Sequence, residues 1–247
     1  MEKKVGRISL AERLDVDLKH FRLSRIWEPQ YRYMLLVLWW PLYGLAFGYV
    51  ERGYPVEEYT VIHCALDEQI PFLEGFFIPY MLWFLLVSLP LIYGFFFDTR
   101  AAVRMMYYIM FTYTLTIVIY LIWPTMQDLR PVAIPRDNLL TRFALRFYAY
   151  DTNTNVCPSI HVLGAFAGMH GCMEMGKWKN PVVKKCWDIG FAVLAVVITV
   201  STVFVKQHSV IDVVAALPLC MMARQLFYGV RSSHVENDSR RKKIVYN

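Results

Sequence analysis

Residues 75–97 read GFFIPYMLWFLLVSLPLIYGFFF, a run without one formal charge. A helix needs about 20 apolar residues to cross the hydrocarbon layer of a bilayer, and this run supplies them. Working outward, further uncharged or nearly uncharged runs lie at 34–50, 105–127, 158–174, 189–205 and 209–228. Apolar residues make up 57% of the 247, aromatics 16% and charged residues 19%. A typical soluble domain carries roughly 25% charge, so the apolar surplus needs lipid to face. Only helices and closed barrels satisfy their backbone in a bilayer, and the ten-residue alternation of a membrane barrel is missing from the sequence. The expected fold class is all-α: an integral membrane six-helix bundle, with both termini on one side.

The basic residues say which side. Of the 26 Lys and Arg, 19 fall in 1–33, 97–104, 176–188 and 229–247. By the positive-inside rule these segments, and so both termini, are expected to be cytoplasmic. The net charge of +6 then describes a surface facing anionic lipid. It does not describe a nucleic-acid site, because the basic residues follow span boundaries instead of forming one stripe. The chain divides into a basic segment 1–33, a six-span domain 34–228 and a basic tail 229–247. The first segment reads equally as an amphipathic helix on the leaflet or as a flexible tail. No cleavable signal is read, since 33 strongly charged residues precede the first apolar run. Outside the spans, 51–74 and 128–157 are expected to be outer loops. The stretch Asp67-Glu68-Gln69-Ile70-Pro71-Phe72 is expected to dip back toward the bilayer before the second span. Of the five cysteines, Cys64 and Cys157 face outside; a bridge between them is one reading and unpaired thiols the ordinary one.

Three short segments carry chemistry, and the expected topology puts all three at outer helix ends. They are Asp128-Leu129-Arg130-Pro131, then Cys157-Pro158-Ser159-Ile160-His161, then Ser201 through Lys206-Gln207-His208 to Asp212. His208 and Asp212 are four residues apart and share a helix face if a helix has begun there. A carboxylate accepting from one ring nitrogen fixes the tautomer and leaves the other nitrogen as a nucleophile toward phosphorus. A purely structural His–Asp pair joining two helices is the alternative. Pro158 suits the first turn of a helix, which would leave the amides of Ser159 and Ile160 free to bind an anion. His161, one step deeper, is placed to protonate a leaving alkoxide. Arg130 offers a planar fork for phosphate oxygens and Lys206 a point charge. Gln127 and Asp128 flank Arg130 and are candidates to orient it. Arg52, Arg136, Arg142 and Arg146 have no such context. His63, His170 and His234 stand outside the pattern, and Asn237-Asp238-Ser239 matches a glycosylation acceptor on the cytoplasmic side. No cluster has metal-ligand spacing.

The order Arg-Pro, Pro-Ser-x-His, Ser-x6-His-x3-Asp resembles the type 2 phosphatidic acid phosphatase superfamily, over residues 60–228. The resemblance implies six spans, His208 as nucleophile, Asp212 as its partner and His161 as the acid. It places Arg130, Ser159 and Ser201 in the phosphate pocket and calls for no cofactor. Two departures stand out: Trp123 occupies the position of the family's Lys, and Thr202 that of its second Arg. Lys206 is a candidate replacement for one of them. The implied partners are a lipid phosphate substrate and membrane lipids. The expected activity is hydrolysis of lipid phosphate monoesters or diphosphates at the non-cytoplasmic or lumenal face. Transfer of a phospho-headgroup, as in inositol phosphorylceramide synthases, is the second reading, and non-catalytic binding or transport of phospholipid the third.

Overall fold

A computed structural model describes residues 20–133, 136–176, 178 and 180–229. The helices are α1 (Trp39–Arg52), α2 (Ala65–Gln69), α3 (Phe77–Phe97), α4 (Thr99–Ile122), α5 (Leu139–Tyr150), α6 (Ile160–Glu174), α7 (Pro181–Phe204) and α8 (Val210–Tyr228). Most of the basic N-terminal segment, the C-terminal tail, His234 and the Asn237 acceptor lie outside the described residues.

Five helical stretches are long and apolar enough to cross a membrane: Arg32–Arg52, Glu74–Phe97, Thr99–Ile122, Pro181–Phe204 and Val210–Tyr228. Their outward faces are apolar, with Leu42, Leu45, Leu89, Val214 and Met221 each more than half exposed. Such a surface is stable only against lipid, and the chain is a multi-pass membrane protein of helical architecture.

The remaining expected span, 158–174, corresponds to α6, and it differs in kind. Its 15 residues reach about 22 Å, short of the roughly 30 Å that a span must cover. It runs through the middle of the bundle, packed on α3, α4, α7 and α8. Two glycines permit that approach. A Cβ on Gly168 would lie 2.5 Å from the Leu86 carbonyl oxygen, and one on Gly164 would strike the Tyr113 hydroxyl and the Trp83 indole nitrogen. Around this axis Met105, Met106, Tyr108, Ile109, Val162 and Leu163 form the core.

Two sequence expectations need correction. The third span runs Thr99–Ile122 rather than 105–127. Asp98 accepts from the Ala101 amide at 3.3 Å and starts the helix before Arg100 and Arg104. Arg104 is tolerated because it pairs with Glu174 of α6. At the far end Pro124 biases Trp123 out of helical geometry. The 128–157 loop, in turn, contains α5. Asn138 caps it by accepting from the amides of Leu140 and Thr141, both at 3.0 Å. Phe147 and Tyr148 then pack on Phe77, Tyr80 and Val205.

The loops after α1 and α4 are stitched by a two-residue parallel pair, Thr60↔Thr125 and Val61↔Met126, with Met126 bridging antiparallel to Thr154. Cys64 and Cys157 are both free thiols, which decides against the bridge.

Candidate functional site

The turn between α7 and α8 positions His208. Lys206 takes φ 53° and reverses the chain, after which the amides of Gln207 and His208 both donate to the Thr202 carbonyl at 3.0 and 3.2 Å. Ser209 then caps α8, its hydroxyl accepting from the Ile211 amide at 3.1 Å. Asp212 in the first turn reaches back to accept from the Ser209 amide at 2.8 Å and, on the same oxygen, from His208 Nδ1 at 3.2 Å. With Nδ1 donating, Nε2 keeps its lone pair. His161 Nδ1 lies 3.3 Å from that nitrogen. Asp212, His208 and His161 therefore form one series, with Asp212 fully buried and His208 6% exposed.

His161 stands in the first turn of α6, its ring against Tyr80 and Trp83 at centroid distances of 4.6 and 4.8 Å. The start of α6 is fixed from three sides. The Ser159 amide donates to the Asp212 carbonyl at 3.2 Å, and Tyr120 Oη donates to the Pro158 carbonyl at 2.7 Å. Thr125 Oγ1 accepts from the amides of Val156 and Cys157, both at 3.1 Å. Burial pushes the Cys157 thiol up to about 12, so it is not a thiolate nucleophile at neutral pH.

A cavity of about 230 Å³ opens beside the two rings. Ile160, His161, Gln207 and His208 line it, with Glu51 and the segment Asp151–Val156 facing them. Glu51 accepts from Asn155 Nδ2 at 3.0 Å, from Thr154 at 3.3 Å and from Thr152. Burial raises the pKa of Asp151, opposed by the nearby His208 and Arg130. Four buried polar atoms on lining residues lack a partner within the protein: Asn155 Oδ1, Gln207 Nε2, Trp83 Nε1 and Tyr113 Oη. Unmet groups of that kind are unusual in a folded interior; Tyr113 Oη and Trp83 Nε1 lie against Gly164 of α6. Among the described residues no group of three or more His, Cys, Asp or Glu is placed to hold a metal ion.

No family model, characterised protein or solved structure matches this chain.

The predicted residues divide into three sets. His161, Ile160, His208 and Asp212 come together. Arg130 stands behind the cavity wall, donating to the carbonyls of Tyr148, Asp151 and Thr152 at 2.7–3.0 Å and to Gln207 Oε1 at 2.7 Å. Its guanidinium lies 4.5 Å from the Tyr148 ring, and burial lowers its pKa. The remaining three point elsewhere. Ser159 is the helix cap, its hydroxyl accepting from the Val162 amide, and Pro158 precedes the helix instead of sitting in its first turn. Ser201 donates to the Ile198 carbonyl at 2.6 Å. Lys206 donates to the Asp67 carbonyl at 2.7 Å and is not among the residues that line the cavity. Burial lowers its pKa against the pull of Asp67.

Other residues expected to orient Arg130 are occupied elsewhere. Asp128 pairs with His63 Nδ1 at 3.0 Å, and His63 Nε2 lies 3.4 Å from Glu68. Gln127 donates to the Lys206 carbonyl at 2.9 Å and so holds the turn, while Gln207 meets Arg130. His170 packs between Tyr108 and Tyr228.

Sequence reasoning missed Asp67, Glu51 and Asp151. Asp67 accepts from Ser209 Oγ at 2.6 Å and from the amides of Val210 and Cys64, both at 2.9 Å. Burial works to raise its pKa, but these hydrogen bonds outweigh it and hold the carboxyl below its ordinary range. Glu51 was legible in principle, as an acidic residue in the last turn of an apolar helix.

Proposed function

We propose that this protein is a membrane enzyme that cleaves lipid phosphate esters through a phosphohistidine on His208, acting as a metal-independent lipid phosphatase. The observation that carries the reading is the series from Asp212 through His208 to His161, at 3.2 and 3.3 Å. Asp212 holds Nδ1, so Nε2 is the nucleophile, and the positive charge that develops on the ring during attack is stabilised. Phosphorus enters between the two rings and replaces their contact. His161, protonated, gives its proton to the departing lipid oxygen, and in the second step takes one from the water that attacks phosphorus. Gln207 Nε2, which has no other partner, is a donor for a phosphate oxygen.

In this reading α6 is a sixth crossing, shortened at the end where the substrate enters, both termini are cytoplasmic and the site opens on the opposite face. A second reading, transfer of the phosphoryl headgroup to an alcohol, is favoured by one observation. Arg130 is spent on four oxygens and Lys206 faces Asp67, which leaves too little positive charge for a dianionic monoester.

The test is product formation by purified protein from labelled lipid phosphates in chelator, with and without a ceramide-like acceptor, beside His208→Ala. Release that survives chelation and vanishes in the variant, with an acid-labile phosphoenzyme trapped on the unaltered protein, is the expected result. Product formed only with the acceptor assigns the transferase. Turnover undiminished in His208→Ala would remove the histidine from the chemistry.

A further inference from the structure

The cavity beside His208 has the wrong electrostatics for phosphate alone. Its charged lining residues are Glu51 and Asp151, with no Lys or Arg among the described lining residues. Asp212 adds a third carboxylate behind His208; of the guanidiniums beside the lining, Arg130 is committed to backbone and amide oxygens, and Arg52 lies over the Tyr150 ring at 5.8 Å and donates to the Tyr150 carbonyl at 3.2 Å. A phosphate monoester would bring up to two further negative charges to this wall. Burying unpaired like charges together is strongly unfavourable.

The remaining wall is aromatic. Trp40, Tyr43, Phe47, Trp83, Tyr113 and Tyr150 all line the cavity. Tyr43 lies 5.2 Å from Tyr113 and 5.9 Å from Phe47, and Trp40 lies 6.3 Å from Tyr113, so the rings form a continuous surface beside Glu51. Ring faces together with a carboxylate attract an alkylated ammonium, which binds through the ring quadrupole and needs few hydrogen bonds. Independently, Asn155 is 5% exposed, lines the cavity, and leaves Oδ1 without a partner while its Nδ2 holds Glu51.

We infer that the cavity receives a headgroup carrying an ammonium, and that the substrate class is a zwitterionic phospholipid of the choline type. The inference takes its orientation from the reading of His208 as the phosphorus nucleophile. A phosphodiester carries one negative charge and its tethered ammonium cancels it, so the pair enters as a neutral unit between the histidines and the Glu51 wall. His208 Nε2 forms the bond to phosphorus as the phosphorus–oxygen bond to diacylglycerol breaks, and protonated His161 gives its proton to that oxygen. Water or an alcohol then displaces the histidine, its proton passing to His161. The phosphocholine unit leaves as the free ester or on the acceptor.

The experiment measures binding of short-chain phosphatidylcholine, phosphatidylethanolamine and phosphatidate, and of free phosphocholine, to full-length His208→Ala protein, which holds substrate without consuming it. Tryptophan fluorescence reports occupancy, since Trp40 and Trp83 line the cavity. The choline lipid is expected to bind at least about tenfold more tightly than phosphatidate, with tetramethylammonium competing and phosphatidylethanolamine intermediate. Glu51→Gln should shrink the ratio toward unity; Phe47→Ala, at a lining ring stacked on Tyr43, does the same by a route that leaves the Glu51 hydrogen bonds intact. Phosphatidate binding as tightly as the choline lipid, or indifference to tetramethylammonium, overturns the inference. Free phosphocholine binding as well as the lipid overturns the lipid source. Choline preference in a protein that never turns over lipid would uphold the headgroup site and sink the phosphohistidine reading. Turnover through His208 with phosphatidate preferred would do the reverse.

Discussion

Ser209 Oγ donates to Asp67 Oδ2 at 2.6 Å, joining the cap of α8 to a loop that lies 142 residues earlier in the chain. The same carboxylate takes the Val210 amide, and the Asp67 carbonyl takes the Lys206 ammonium. The turn that presents His208 is therefore held from outside by Asp67, together with Gln127 on the Lys206 carbonyl. Asp67→Ala leaves a hydroxyl and two amides without their acceptor in a buried place. At about 1–3 kcal/mol for each unmet group, partly relieved by water, the loss should be about 2–5 kcal/mol. Denaturant or thermal unfolding in detergent measures it.

Acid should act through the same carboxyl. Its pKa is lowered in the folded protein, so its stabilisation is fully present above the ordinary carboxylate value and disappears as pH falls through the lower folded value. The unfolding midpoint of the unaltered protein should drop as pH falls below about 4. The Asp67→Asn protein should start lower and show a flatter dependence in the same window. An equal slope in both would show that Asp67 has no part in it.

Asp212→Asn keeps shape but removes the anion that fixes the His208 tautomer. Turnover should fall by about a hundredfold to ten-thousandfold, with lipid binding changed little. Steady-state rates together with binding to the His208→Ala background separate the two effects.

Arg130→Lys should behave as a structural lesion. A guanidinium that donates to three carbonyls and one amide oxygen has no ammonium equivalent. The Asp151–Asn155 segment, which forms the acidic wall, should loosen, and hydrogen exchange there should rise before any change in the α3–α4 core.

Gly168→Val should be the most damaging change far from the cavity. Its added carbons meet the Leu86 backbone, which cannot move aside as a side chain does. A cost of about 1–3 kcal/mol or more is expected, read as a lower thermal midpoint.

The long helices were legible because composition alone specifies them: a run such as 75–97 has no stable alternative to a helix in lipid. Their ends were less so. The third span began at Thr99 because Arg104 found Glu174, a partner 70 residues away that no local pattern announces. Helix α5 was read as loop for a related reason. Its apolar face is short, and its packing on Phe77 and Tyr80 comes from another part of the chain.

At the site, the sequence by itself pointed to His161, His208 and Asp212. His208 and Asp212 are four residues apart, so local spacing is enough to pair them, and the Pro158-Ser159 start of α6 sets where His161 falls along its helix; the contact between His161 and His208, 47 residues apart, comes from packing. Tertiary structure alone decided what surrounds them. Ser159, Ser201 and Lys206 look like phosphate ligands in sequence, yet each finds a nearer backbone partner once the helices pack. Glu51, Asp151 and the aromatic wall become one cavity only when α1, the 151–156 segment and α6 meet. A short motif fixes which atoms are neighbours along the chain, whereas the charge and shape of a pocket are sums over distant segments, and those are settled by packing.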